Sequence, residues 1–169
     1  MKHKKHLLIL TSLLLLTLVL STSTVSAGAP KTYFTGVEAA IGPPTGGTLK
    51  VVDGKLHLTG VVQKAYDETN DPRTTGDVTI VVNAVWTLPD LTGPMWGTFR
   101  IENEYGAWYG RWQGRRTLEG GEIISTIQGT CHGSGEYEGL IGKWNYSAVD
   151  AHLGYPFKIS GYILEPHGD

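Results

Sequence analysis

The sequence predicts an all-β chain: a single antiparallel closed β-barrel of eight to nine strands, with a two-sheet β-sandwich as the alternative. Three observations carry this. Apolar and polar residues alternate with a period of two through most of the chain, the repeat of an extended backbone whose side chains leave opposite faces. No convincing amphipathic helical pattern of ten or more residues occurs, and glycine and proline recur throughout residues 28–169. The strand runs follow one another through short turn segments, the pattern of an antiparallel meander. A long sheet with no helix to cover it must pack on a second sheet or close on itself, and closure removes the exposed edges.

The first 27 residues are expected to be a signal peptide, leaving residues 28–169 as one domain. MKHKKH is a basic start, Leu7 to Leu20 is a leucine-rich run, and Val25-Ser26-Ala27 offers the small residues of a cleavage site. The run falls short of the roughly 20 apolar residues of a membrane span, so an uncleaved anchor is the weaker reading. A secreted, periplasmic or cell-surface protein follows, with no stable membrane insertion after cleavage.

The strands can be placed in order. Tyr33 to Glu38 is a short candidate, ended by Pro43-Pro44 and Gly46-Gly47. Thr48 to Val52 and Leu56 to Gln63 flank Asp53-Gly54, a hairpin signal because both turn residues tolerate positive φ. In the second run Leu56, Leu58, Gly60 and Val62 are expected on one face, and His57 on the solvent side. Asp67 to Gly76 reads as a polar loop. Val78, Ile80, Val82, Ala84, Trp86 and Leu88 then alternate with Thr79, Val81, Asn83, Val85 and Thr87 in a strand rich in branched side chains. After Pro89 to Pro94 comes Trp96 to Asn103, with Phe99 and Ile101 on one face and Thr98, Arg100 and Glu102 on the other.

The stretch from Gly106 to Gly114 is the most informative. Its even positions are Gly106, Trp108, Gly110, Trp112 and Gly114, and its odd positions are Ala107, Tyr109, Arg111 and Gln113. Regular glycine in a strand implies a tight bend or a large ring lying over bare backbone. Glu122 to His132 follows with Ile123, Ser125, Ile127, Gly129 and Cys131 on one face. Ile141 to Val149 carries Trp144 and Tyr146 on one side, and Tyr155 to Leu164 closes the chain.

Composition excludes several functions. Removing Lys2, Lys4 and Lys5 leaves 11 of the 14 basic residues against 16 acidic ones, a formal charge of −5; nucleic acid and anionic membranes attract basic surfaces instead. Arg111, Arg115 and Arg116 form the one basic cluster, read as a solvated edge and turn. Cys131 is the sole cysteine, so no internal disulfide forms, and its place in a strand suggests a buried, inert thiol. His57, His132, His152 and His167 are too scattered for a local metal-ligand spacing, and no nucleophile elbow or dinucleotide fingerprint occurs. No metal, cofactor or catalytic residue is therefore assigned.

What remains is aromatic surface. Trp86, Phe99, Trp108, Trp112, Trp144 and Tyr146 are the candidate ligand-binding residues, because rigid apolar rings with polar tips suit both a core and a pocket. Glu102 and Arg111 join them as candidates to orient a guest if either is directed inward, where an unpaired charge is costly.

At Gly129 to Gly142, GTCHGSGEYEGLIG, the sequence resembles the glycine-rich corner of the dirigent and allene oxide cyclase group of calycin-type barrels. Gly133, Gly135, Tyr137 and Gly139 match its Gly-x-Gly-x-Tyr/Phe-x-Gly pattern, and the strands from Val78 onward look like the second half of such a barrel. The resemblance implies an eight-stranded antiparallel barrel that holds apolar small molecules, and possible homo-oligomers. Some members direct cyclisation or coupling of reactive intermediates without a cofactor. The expected function is an exported, cofactor-free barrel binding a small apolar or aromatic molecule. The alternatives are a cofactor-independent isomerase or cyclase, and a structural or surface-interaction barrel with a filled core.

Overall fold

A computed structural model of the protein describes residues 29–149 and 156–165. The expected signal peptide, the start of the last strand at Tyr155, and His152 and His167 lie outside the described residues. Nine strands form one antiparallel sheet: β1 (Lys31–Ala40), β2 (Thr48–Val52), β3 (Lys55–Thr69), β4 (Gly76–Thr87), β5 (Gly93–Glu102), β6 (Gly106–Glu119), β7 (Glu122–Gly135), β8 (Ile141–Val149) and β9 (Phe157–Leu164). No α-helix occurs among the described residues, only a 3-10 turn at Pro72–Thr74.

The sheet order is β1-β9-β8-β7-β6-β5-β4-β3-β2, and β1 also pairs with β3. That last pairing joins eight of the strands into a ring. β3 is long enough to serve two partners along one edge: Lys55 to Thr59 pair with β2, and Ala65 to Thr69 pair with β1. Between them the chain leaving β1 stays on the same edge, Thr45 exchanging backbone hydrogen bonds with Val62 at 2.8 Å in both directions.

Two expectations from the sequence change here. Asp67 to Thr69 are not loop but the end of β3, because ring closure gives their backbone a partner in Gly36 to Glu38. Val62 does not share a face with Leu58, because the register against β4 shifts between Leu58 and Val61 and Gly60 takes a φ of 67°. A β-bulge reverses the alternation, so Val61, Gln63, Ala65 and Asp67 face inward.

The interior has two levels. Toward the 3-10 turn it is filled: Phe34, Val78, Ile101, Trp108, Trp144 and Ile163 are all essentially inaccessible. Trp108 stacks on Tyr137 with ring centroids 5.3 Å apart and meets Trp144 edge-on at 5.4 Å. The indole N–H of Trp108 donates to the Arg73 carbonyl at 2.7 Å, tying the turn across this end of the ring. Glycines make room for the rings as their spacing suggests. A Cβ on Gly129 would lie 3.0 Å from the Phe99 ring, and one on Gly110 2.6 Å from its tip, so side chains there would displace the ring. Above this plug the ring is hollow.

Candidate functional site

The hollow half encloses a cavity of about 460 Å³, within the range of small-ligand sites. Its walls are mainly apolar. β4 contributes Ile80, Val82 and Trp86, β5 contributes Met95 and Phe99, and β6 and β7 add Trp112, Ile123 and Ile127. Alternation alone selects these residues, since each shares parity with the core residues of its own strand. The Trp112 indole N–H is satisfied by the Thr98 carbonyl at 3.2 Å, which anchors the ring edge beside Gly97.

Apart from Gln63, whose amide donates to the Gly42 and Lys64 carbonyls, two polar clusters break this apolar lining. The first lies where β1 meets β3. Glu38 and Asp67 are cross-strand partners, both buried, with Asp67 fully inaccessible. The Tyr146 hydroxyl donates to Asp67 Oδ2 at 3.2 Å, while Asp67 Oδ1 has no hydrogen-bond partner. Burial raises the Asp67 pKa to about 9, and the charge of Glu38 adds to the rise. Burial likewise raises Glu38, to about 7, with Asp67 partly offsetting it. Two carboxyls this close cannot both ionise in an apolar wall, so near neutral pH the pair carries at most one negative charge. Desolvation first, and the neighbouring acids second, push the Tyr146 phenol well above its ordinary value.

The second group is on the opposite wall, since β6 lies four strands from β1 in either direction round the ring. Arg116 shares parity with Trp108 and Trp112 and turns inward, its guanidinium 3.9 Å from the centroid of the Trp86 ring. Its Nε is buried and unpartnered, as are Trp86 Nε1 and Ser125 Oγ, and all three residues line the cavity. Arg116 and Ser125 are directly opposed across β6 and β7. Burial lowers the pKa of Arg116.

Of the residues singled out in the sequence, Trp86, Phe99, Trp112 and Tyr146 line the cavity. Trp108 and Trp144 lie deeper, in the plug. Glu102 and Arg111 are on the outer face: Glu102 pairs with Arg100 there, and Arg111 is exposed. Glu38, Asp67 and Ser125 were not among the candidates, and Arg116, read with Arg111 and Arg115 as a solvated edge and turn, instead turns into the cavity over Trp86. Parity with Phe34 marks Glu38 and parity with Trp112 marks Arg116, whereas Asp67 becomes visible only once the β3 bulge and the ring closure are known. Cys131 is fully buried beside Gly142, and burial holds its thiol far above the usual range. No group of three or more potential metal ligands occurs among the described residues. The chain matches no protein-family model, no curated protein and no solved structure.

Proposed function

We propose that the eight-stranded ring is a small closed barrel whose open half binds a small, largely apolar or aromatic molecule without a cofactor, and that the protein does this after export. The observation that carries the reading is the division of the interior into an aromatic plug and an apolar cavity of about 460 Å³ walled by Trp86, Phe99 and Trp112. A barrel serving only as a structural element gains nothing from a hollow half, because unfilled apolar space forfeits dispersion contacts.

Kinship with the dirigent and allene oxide cyclase barrels is part of the proposal. It is supported by the corner between β7 and β8, where Gly135 and Gly139 take positive φ and buried Tyr137 stacks on Trp108. Titration with a panel of hydrophobic ligands, followed by tryptophan fluorescence, tests the binding. Saturable quenching through Trp86 and Trp112 is expected; none with any ligand counts against the reading.

One observation favours a second reading, a cofactor-free isomerase or cyclase. An acid pair that holds a proton at neutral pH in an apolar wall has both parts of a proton shuttle, a carboxylate that accepts and a carboxylic acid that donates. Glu38 lines the cavity and is the natural acceptor, and Asp67 holds the proton to be returned. Exchange of the protons next to the carbonyl of 2-tetralone in D2O, followed by NMR, tests it. Acceleration by the protein that is lost in Glu38→Gln supports the reading, and exchange at the solvent rate removes it.

A further inference from the structure

We propose that the ligand of this cavity carries a carboxylate, gripped by Arg116 with Ser125 and Trp86 as accessory donors. The inference rests on the reading of the cavity as a ligand site and names the class of molecule it takes.

Three buried polar atoms without partners, Arg116 Nε, Trp86 Nε1 and Ser125 Oγ, fall on residues that line one cavity. They also converge. Arg116 faces Ser125 in the β6–β7 ladder, where opposed side chains stand about 5 Å apart, and its guanidinium lies over the Trp86 indole. All three donate hydrogen bonds, and a buried donor left unpaired is destabilising.

Charge narrows the choice of acceptor. The ion pairs of the described residues use Arg73 and Arg100, so Arg116 is a cavity cation with no carboxylate beside it there. The Trp86 ring beneath it restrains the guanidinium, and a planar fork matches a carboxylate with two parallel hydrogen bonds. The opposite wall, with Glu38 and Asp67, repels an anion. The head of the ligand is thus directed to Arg116, and its body lies against Phe99, Trp112 and Ile127.

Matched acid and alcohol pairs test this by calorimetry on the mature chain: octanoate against 1-octanol, and 2-naphthoate against 2-naphthylmethanol. A carboxylate is better hydrated than an alcohol, so an apolar cavity without a cation favours the alcohol. Tighter binding of the acid, by about tenfold or more, is expected for at least one pair in the wild type. That advantage should vanish in Arg116→Gln and shrink in Ser125→Ala, and should survive in Arg115→Gln, whose side chain is exposed. Alcohols binding as tightly as acids in the wild type would overturn the carboxylate assignment and leave the cavity reading standing, whether or not Arg116→Gln folds. Failure of all four probes, with no saturable quenching by the wider panel, would remove both.

Discussion

Glu38 and Asp67 face each other across the junction that closes the ring, both buried and Asp67 fully inaccessible. Ring closure therefore sets two acids in an apolar wall, where each raises the other's cost of ionisation. The unfolded chain frees both to ionise near pH 4.

This arrangement predicts how stability depends on pH. Asp67 is raised to about 9 and Glu38 to about 7, so between pH 4 and those values the folded protein holds protons that the unfolded chain has released. Stability then falls as pH rises, by at most about 1.4 kcal/mol per pH unit for each group. Asp71 and Glu165 work the other way: burial alone would raise Asp71, but Arg73 outweighs it through hydrogen bonds and charge, and Arg73 lowers Glu165 as well, so their support is lost on acidification. Urea unfolding from pH 5 to 9 should show a decline that flattens in Asp67→Asn, which keeps the shape and removes the titration. A wild-type stability that rises over this interval would contradict the buried pair.

The tryptophans should separate into two classes by stability. Trp144 is sealed in the plug between Phe34 and Trp108, and Trp144→Ala should cost about 3–5 kcal/mol. Trp96 is 46% exposed on the outer face, and Trp96→Ala should cost about 1 kcal/mol or less. Equal midpoints for the two variants in urea would show that the plug does not form.

Much of this was legible in the sequence, for a local reason. Alternation is written residue by residue, so strands such as Thr48–Val52 and Ile141–Val149 and the inward faces of β4 to β9 can be read without knowing their partners. The β1–β3 pairing depends on residues some thirty positions apart, and nothing local announces it. Asp67 therefore reads as the start of a polar loop, although the partner strand converts it into a buried wall residue. Gly60 hides a register shift that moves Val62 off the face expected for it. Among the charged residues, parity alone separates outward Glu102 and Arg111 from inward Glu38 and Arg116, and Arg116 was obscured by its membership of a basic cluster.

The two kinds of glycine in the ring should respond differently to a methyl group. Gly60 has a φ of 67° with open space where a Cβ would stand, so Gly60→Ala bears only the left-handed backbone penalty, about 1–2 kcal/mol. At Gly110 the added carbon would lie 2.6 Å from both the Phe99 ring tip and the Thr130 carbonyl. Backbone cannot yield there, and Gly110→Ala should cost about 3 kcal/mol or more and reshape the cavity that Phe99 lines. A Gly110→Ala protein as stable as Gly60→Ala would mean that the ring does not lie over the glycine.

Cys131 offers a direct probe of whether the plug is sealed. Its side chain is inaccessible and lies against the site of Gly142, where a Cβ would come 2.7 Å from the sulfur. Burial raises the thiol pKa more than Lys143 and the Gly142 backbone lower it, so the native protein holds almost no thiolate at pH 8, and thiolate is the reactive form. A disulfide reagent should leave the native thiol unmodified and label it at the rate at which the ring opens. The Trp144 ring also overlies Gly142, so Trp144→Ala should expose the sulfur and speed the labelling at a denaturant concentration where the ring still stands. Rapid stoichiometric labelling of the native wild type would show that reagent passes through the plug, and the closed end of the cavity would have to be abandoned.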